Sequence, residues 1–529
     1  MRLDDQKNGS PVSNRVDIHH IQLEEGTTIN GDAKSRVYTY NEALELVGLG
    51  RFHTLLLFIC GFCLMSVINE TLNMGFIISA AECDLGLSFS DKGILNGAAF
   101  CGVVLSSHLW GFLSDTWGRR KVLVLATSCS LAFSVLSTFS LNVWMLIVTR
   151  FCVGFFISGN AATSYAYLAE FHTDKSRASH VSWAAMFMAF GMIYLPLLAW
   201  CIIPLDAQLD LKLLGVRYGL WRLYLLLTSM NAVLILCGIT FLPESPKFLL
   251  IGKQQDQVLE ILARMYRWNQ RKPERTFPLK SIALDAIDSA FAEEMQRKSS
   301  AGLRYVWDQT VPLFRRPLVG NTARASFLMF GLFAASSGLF MWMPDILNVY
   351  INYKDESITI CQVVDIIHRN RTAPDVLAEV DNCFVNIDGT IFMITTVMGV
   401  LFLLCYILNG AIINRVGKKL LLNIWYVACG LAGIGALWTS DFYLTLLVIV
   451  VFLAVGCLGS VLSAISVDLF PTNYRAMALC LILMTGRLGA MVGSNVVAFL
   501  LTYNCDLIFV LLGGLLLVCA VIGTTLPGK

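Results

Sequence analysis

Residues 110–121 read WGFLSDTWGRRK, and long apolar runs flank them on both sides. One acid, two glycines and three consecutive bases interrupt an otherwise greasy chain. A tight turn between two membrane helices accounts for that pattern. Gly111 lets a neighbouring helix approach closely, and Gly118 permits the backbone of the turn. Arg119, Arg120 and Lys121 hold the turn on the cytoplasmic side, because short basic loops stay inside. Asp115 is placed to pair with a base, or to face a helix N-terminus in another part of the molecule. A contact of that kind, made in one conformation and broken in another, is a latch. The alternative is a basic loop that only sets topology.

The composition agrees with this reading. Of 529 residues, 56% are hydrophobic and 14% charged, against about 25% charged in ordinary soluble domains. The apolar runs are about 20 residues long, enough to cross a bilayer as a helix. They are continuous rather than alternating, which argues against a barrel. The class is all-α membrane protein. A net charge of +2 points to no nucleic-acid partner. The sixteen cysteines are scattered through apolar segments, as at Cys60 and Cys63, and form no zinc-like cluster. No metal and no cofactor is expected. No phosphate-binding Walker loop, HExxH or nucleophile–base pattern occurs, so neither an ATP-driven pump nor an enzyme is expected. The N-terminal ~35 residues are polar and lack the pattern of a cleavable signal.

Twelve spans are expected: 54–80, 91–113, 122–140, 143–168, 180–203 and 221–242, then 321–347, 389–413, 420–438, 442–466, 477–501 and 507–525. They divide the chain into a cytoplasmic tail (1–50), a six-helix bundle (51–242), a central loop (243–319), a second six-helix bundle (320–525) and a short tail (526–529). The central loop is rich in Lys and Arg. Within it QVLEILARMYRW sets Val258, Leu262, Met265 and Tyr266 on one helical face, and SIALDAIDSAFAEEM reads the same way. The loops at 114–121 and 414–419 are also basic, and an even number of spans separates each from the central loop. All three, and both termini, fall on the cytoplasmic side. Residues 348–388 form the longest loop opposite. It holds a glycosylation sequon at Asn370 and two cysteines, Cys361 and Cys383, which suit an oxidising compartment as a glycan and a disulfide.

An internal repeat orders these parts. Gly111, Asp115 and Gly118 recur as Gly410, Asn414 and Gly417, each displaced by 299 residues (410 minus 111), and Arg119 and Arg120 recur as Lys418 and Lys419. Glu170 precedes Arg177 by seven residues, and Asp468 precedes Arg475 by seven, displaced by 298 (468 minus 170). Two unrelated patterns sharing nearly one offset indicate duplication of a six-helix unit. Parallel six-helix halves are a transporter architecture. Both acid–base pairs lie at cytoplasmic helix ends and are expected to be gate salt bridges.

The stretch GFLSDTWGRRKV resembles the signature loop of the major facilitator superfamily. RFCVGF, from Arg150 to Phe155, is similar to its fourth-helix Arg-x-x-x-Gly motif, and PESPKFLL follows span 6 as in its sugar and organic-ion branches. EALELVGLGRFHTLLL, MGFIISAAECDLGLS and KPERTFPL resemble the branch of synaptic vesicle glycoprotein 2 and its related proteins. The likeness runs from about residue 38 to the end. It implies a twelve-helix fold and alternating access, with Arg150 serving helix packing or coupling. The sequence departs from that branch in three places. An acid usual in span 1 is replaced by Val67 while Glu70 is kept. Gly459 and Ser463 stand where vesicle glycoproteins carry a Trp and an Asp. The large lumenal insertion is reduced to residues 348–388. The base of span 11 is retained as Arg487.

Charges inside a span are costly and face the bundle interior, so the few present are informative. Glu70, with Asn73 a turn later on much the same face, is placed to bind a cationic solute or carry a coupling proton; the alternative is a structural hydrogen bond. Arg487 is placed to bind an anionic group or to pair with Glu70 across a cavity; the alternatives are a static ion pair and a snorkelling base. Trp342 could line the cavity mouth, and an interfacial anchor explains it equally well. Tyr165 and Tyr167 point to different faces, so only one is expected at a pore. The expected function is secondary transport of a small organic solute, an organic ion or sugar-like compound, by a monomer amid membrane lipid. The other reading is a non-transporting vesicle glycoprotein that binds partners or regulates secretion. A plasma membrane or a synaptic or secretory vesicle membrane suits both.

Overall fold

The computed structural model describes residues 38–205, 209–211, 216–271, 277–279, 281–283, 307, 310–371, 389–470 and 472–527. Twelve helices among them are long and apolar enough to cross a membrane. The first six are span 1 (Arg51–Leu85), span 2 (Phe89–Trp117), span 3 (Arg119–Ser137), span 4 (Val143–Glu170), span 5 (Asp174–Ile202) and span 6 (Leu220–Ile239). The second six are span 7 (Val319–Phe340), span 8 (Gly389–Ile413), span 9 (Lys418–Trp438), span 10 (Phe442–Ser466), span 11 (Met477–Tyr503) and span 12 (Asp506–Thr524). The all-α architecture of two six-helix halves read from the sequence is the one the chain adopts.

Local chemistry sets the helix starts. Ser88 caps span 2 in a reciprocal capping box with Asp91, Asn142 caps span 4, and Asp441 caps span 10. Span 1 breaks at Asn73 into Arg51–Leu72 and Met74–Leu85. Span 7 breaks likewise, continuing beyond Trp342 as Met343–Tyr350. Small residues bring helices close within each half. A Cβ on Gly154 would lie 2.0 Å from the Ala99 carbonyl oxygen, and one on Gly489 would lie 2.3 Å from that of Phe330.

The end of the bundle with the two basic turns is called the signature end here, and the other the far end. The halves meet at the far end. Span 2 packs on span 11, where a Cβ on Gly93 would touch Ala498 and one on Gly97 would touch Asn495 and Met491. Span 5 packs on span 8 where Gly399 meets Met192. Phe76 faces Phe392, and a Cβ on Gly75 would lie 2.6 Å from the Met341 carbonyl oxygen. One buried apolar core runs through this contact and includes Phe76, Ile77, Met341 and Trp342. The two signature glycines make no such contact. No atom lies within 4 Å of a Cβ placed on Gly111 or on Gly410. The close helix approach expected at Gly111 is thus not made in this conformation.

The amphipathic helix of the central loop forms over Gln255–Gln270. Val258, Leu262 and Met265 are buried against Ala43, Leu44 and Val47 of a short helix, Tyr40–Val47. Asn269 clamps the entry to span 1, donating to the Gly48 carbonyl and accepting from the Phe52 amide at 3.1 Å. The second amphipathic stretch lies largely outside the described residues. Two short ladders complete the fold: Tyr38–Thr39 runs parallel to Ile282–Ala283, and Leu209–Leu211 antiparallel to Val216–Tyr218. A disulfide joins Cys361 to Cys505. This corrects the expected partner of Cys361, a cysteine near it in sequence: helix Ile360–Arg371 folds back onto the start of span 12. Cys383 lies outside the described residues, and Cys83 is disulfide-bonded. Asn370 sits in helix Ile360–Arg371.

Candidate functional site

The two signature turns share one construction. Gly118 and Gly417 have φ of 107° and 88°, in the left-handed region that favours glycine. Behind the first turn, Arg119 is buried and reaches Glu170 at 3.0 Å, Asp115 at 3.2 Å and the Ser114 carbonyl at 2.9 Å. Arg120 donates its amide to Glu244 of the PESP stretch at 2.9 Å. Behind the second turn, Lys418 meets Asp468 at 2.8 Å. The duplication is therefore visible in contacts, since Arg119–Glu170 and Lys418–Asp468 occupy matching places. The expected Glu170–Arg177 bridge is corrected: Glu170 pairs with Arg119, and Arg177 with Asp174 at 2.8 Å. The residues seven apart straddle the end of span 4, where the turn at Phe171–Thr173 redirects the chain. The side chains of Asn414 and Arg475 lie outside the described set.

Glu70 is enclosed in the first half. Arg150 of span 4 pairs with its carboxylate at 3.0 Å and also donates to its carbonyl and to Asn73 Oδ1. Ser134 of span 3 donates to both carboxylate oxygens at 3.1 Å. Asn73, at the break in span 1, has its amide nitrogen 3.5 Å from Thr228. The sequence offered Arg487 as the partner of Glu70, and the structure corrects this to Arg150. Helix packing is the reason: span 4 lies against span 1 inside the same half.

Arg487 instead stands between the halves. Its guanidinium donates to the Ser107 hydroxyl of span 2 at 3.1 Å. Arg487 and Tyr165 are half-buried, and the Tyr165 hydroxyl lies 3.9 Å from the Met188 sulfur. Tyr167 points the other way, into the first half, and donates to the Pro243 carbonyl.

Trp342 belongs to the seal. It is wholly buried, donates to the Ser494 carbonyl at 3.1 Å and stacks over Phe89 of the other half. That corrects its expected place at a cavity mouth. Beside it lies a group the sequence reading missed. Lys92 of span 2 is 2% exposed and pairs with Glu82 at 2.9 Å and with Asp345 of the second half at 3.1 Å. Ser79 also donates to Asp345, at 2.9 Å. The available signal was the cluster Glu82, Asp84 and Lys92 flanking the first far-end turn.

Three histidines line up at the signature end. The rings of His53 and His172 are 4.8 Å apart, and those of His172 and His180 are 4.1 Å apart. Burial pushes the His172 imidazole down to about 3, and the nearby charges of His53, His180 and Arg177 add to this. Its Nδ1 bonds the Leu168 carbonyl at 2.8 Å, which opposes the shift.

The chain is similar to known proteins in sequence and in fold. The chain is 28% identical over 333 residues to synaptic vesicle glycoprotein 2C of Mus musculus, covering 60% of this chain and 45% of that one. It is 29% identical over 334 residues to synaptic vesicle glycoprotein 2A of Rattus norvegicus, covering 60% and 44%. It thus spans less than half the length of these relatives. Two solved structures have the same fold. The xylose transporter XylE from E. coli, in a partially occluded inward-open conformation, superposes with a TM-score of 0.63 at 15% identity, covering 90% of this chain and 100% of that one. The nucleoside transporter NupG gives 0.56 at 11% identity, with the same coverages. The expected likeness to the major facilitator fold and to the vesicle glycoproteins is borne out. The sugar (and other) transporter family model matches residues 49–343, which take in the first half, the central loop and span 7. The chain belongs to that family.

Proposed function

We propose that the chain is a secondary carrier that moves a small organic solute by alternating access. One observation carries this reading: at the far end the halves are sealed through Lys92–Asp345 and Trp342–Phe89, while at the signature end nothing packs on Gly111 or Gly410. The basic turns favour a cytoplasmic signature end with cytoplasmic termini, which makes this state inward-facing in our reading, with Asn370 on the opposite side, where a glycan would be added. A related fold is that of a D-xylose-proton symporter, which supports a coupling proton here. Glu70 is its proposed carrier, because neutralising that carboxylate would release Arg150, Asn73 and Ser134 together. The two signature turns act as gate posts.

Uptake by purified protein in proteoliposomes tests this reading, using sugars, nucleosides, organic cations and organic anions with and without an inward proton gradient. Gradient-stimulated uptake of one class, lost in Glu70→Gln, is the expected result. No uptake of any class, from protein shown to be folded, would overturn it. That outcome would favour a vesicle glycoprotein acting through partners, as the relatives' names and the missing acids at Val67 and Ser463 would allow.

A further inference from the structure

The buried basic groups of the spans divide sharply by what they meet. Lys92 meets Glu82 and Asp345, Arg119 meets Asp115 and Glu170, and Arg150 meets Glu70, all within 3.2 Å. Arg222 donates to the carbonyls of Thr138 and Ser140 near the far end and lies over the Trp221 ring. Arg487 differs from all of these. Among the described residues no carboxylate forms an ion pair with it, and its one hydrogen bond goes to the neutral Ser107 hydroxyl. It is also half-buried and reaches across to the other half.

A guanidinium in low-dielectric surroundings without a counter-charge is costly, and the cost falls when an anion arrives. The carboxylate that could have supplied that charge from within the protein is already taken: Glu70 accepts from Arg150 and Ser134. The fork of donors on an arginine matches a carboxylate in bidentate fashion. The Ser107 hydroxyl lies beside it at 3.1 Å.

Resting on the carrier reading, we propose that the transported solute is a small organic monocarboxylate, bound by Arg487 and Ser107. One uncompensated cation calls for one negative charge. Because Ser107 and Arg487 belong to opposite halves, the anion bridges them, and its binding is tied to their relative position.

The test pairs each acid with an uncharged counterpart: lactate with lactamide, benzoate with benzamide, nicotinate with nicotinamide, and glucuronate with glucose. Two readouts are taken on the full chain, uptake into proteoliposomes and thermal stabilisation of the detergent-purified protein. Wild type is compared with Arg487→Gln and Arg487→Lys, each checked by size-exclusion profile. At least one acid is expected to be taken up and to stabilise the protein, with its neutral counterpart doing neither. Arg487→Gln should weaken the response about ten- to a hundred-fold, the range of a hydrogen bond to a charged group, and Arg487→Lys should restore part of it. Neutral counterparts handled as well as the acids, or an unchanged response in Arg487→Gln, would overturn the anion while leaving the carrier standing. Stabilisation by an acid through Arg487 without uptake of any solute would keep the anion site and remove the carrier. Neither stabilisation nor uptake by any of the four acids would overturn the proposed class.

Discussion

Lys92 and Asp345 lie 3.1 Å apart and tie span 2 of one half to the second segment of span 7 in the other. The bond is shielded, since Lys92 is 2% exposed and Asp345 15%. It sits at the far end, beside the Gly93–Ala498 and Phe89–Trp342 contacts between the halves.

Removing this tie should favour the state that opens at the far end. Lys92→Met is expected to raise the labelling rate of a cysteine placed at Asn495, which packs against Gly97 in the sealed state. A loss near 1.4 kcal/mol would show as about a ten-fold rise. An unchanged rate would mean that the apolar seal around Trp342 suffices alone.

The Glu70–Arg150 pair should behave as a buried ion pair does. Arg150→Leu leaves the carboxylate uncompensated and should destabilise the protein by about 3–5 kcal/mol. Adding Glu70→Leu removes the stranded charge and should recover part of that loss. Thermal melts of the two variants beside wild type settle the comparison. A double variant no better than the single would show that Asn73 and Ser134 depend on the pair for their own positions.

His172 makes stability depend on acid. Its pKa is about 3 in the folded chain against 6.5 for the free group, so between those values the unfolded chain binds the extra proton. Stability therefore rises with pH across that window, and this contribution is fully present above pH 6.5. Below it the contribution is lost as pH falls toward 3. His172→Gln should flatten the melting temperature between pH 6.5 and 4. A slope as steep as that of wild type would assign the acid limb to other groups.

The two turn glycines should differ in what they tolerate. Both have positive φ, so an alanine at either is strained by about 1–2 kcal/mol. At Gly118 the added Cβ would also lie 2.6 Å from the Glu244 carboxylate, whereas at Gly417 it would meet open space. Gly118→Ala is therefore expected to lower the melting temperature more than Gly417→Ala. Equal effects would remove Glu244 from the account.

Much of the architecture was legible because it is written in short-range patterns. The twelve apolar runs, the 299-residue repeat and the buried stripe Val258, Leu262, Met265 depend only on local periodicity. The site was legible in its members more than in its pairings. Glu70, Arg487, Glu170 and Asp468 were all singled out, yet Glu70 found Arg150, 80 residues away, and Glu170 found Arg119, 51 residues away. Spacing along the chain reports which face a residue occupies, while its partner is decided by which helix lies alongside. Lys92 escaped for a related reason. Beside the far-end acids it reads as an ordinary solvated loop charge, and only the docking of Asp345 from the other half buries it.

The repeated turn has drifted apart in its dielectric setting. In the first copy Arg119 is shut off from solvent, with its side chain 3% exposed and divided among three acceptors. In the second copy Lys418 and Asp468 meet at 2.8 Å and are 43% and 54% exposed. Mobile ions screen the second pair and scarcely reach the first, because screening over about 8–10 Å acts through water. Ionic strength thus acts on the two turns unequally: salt slackens the second turn while the first keeps its shape.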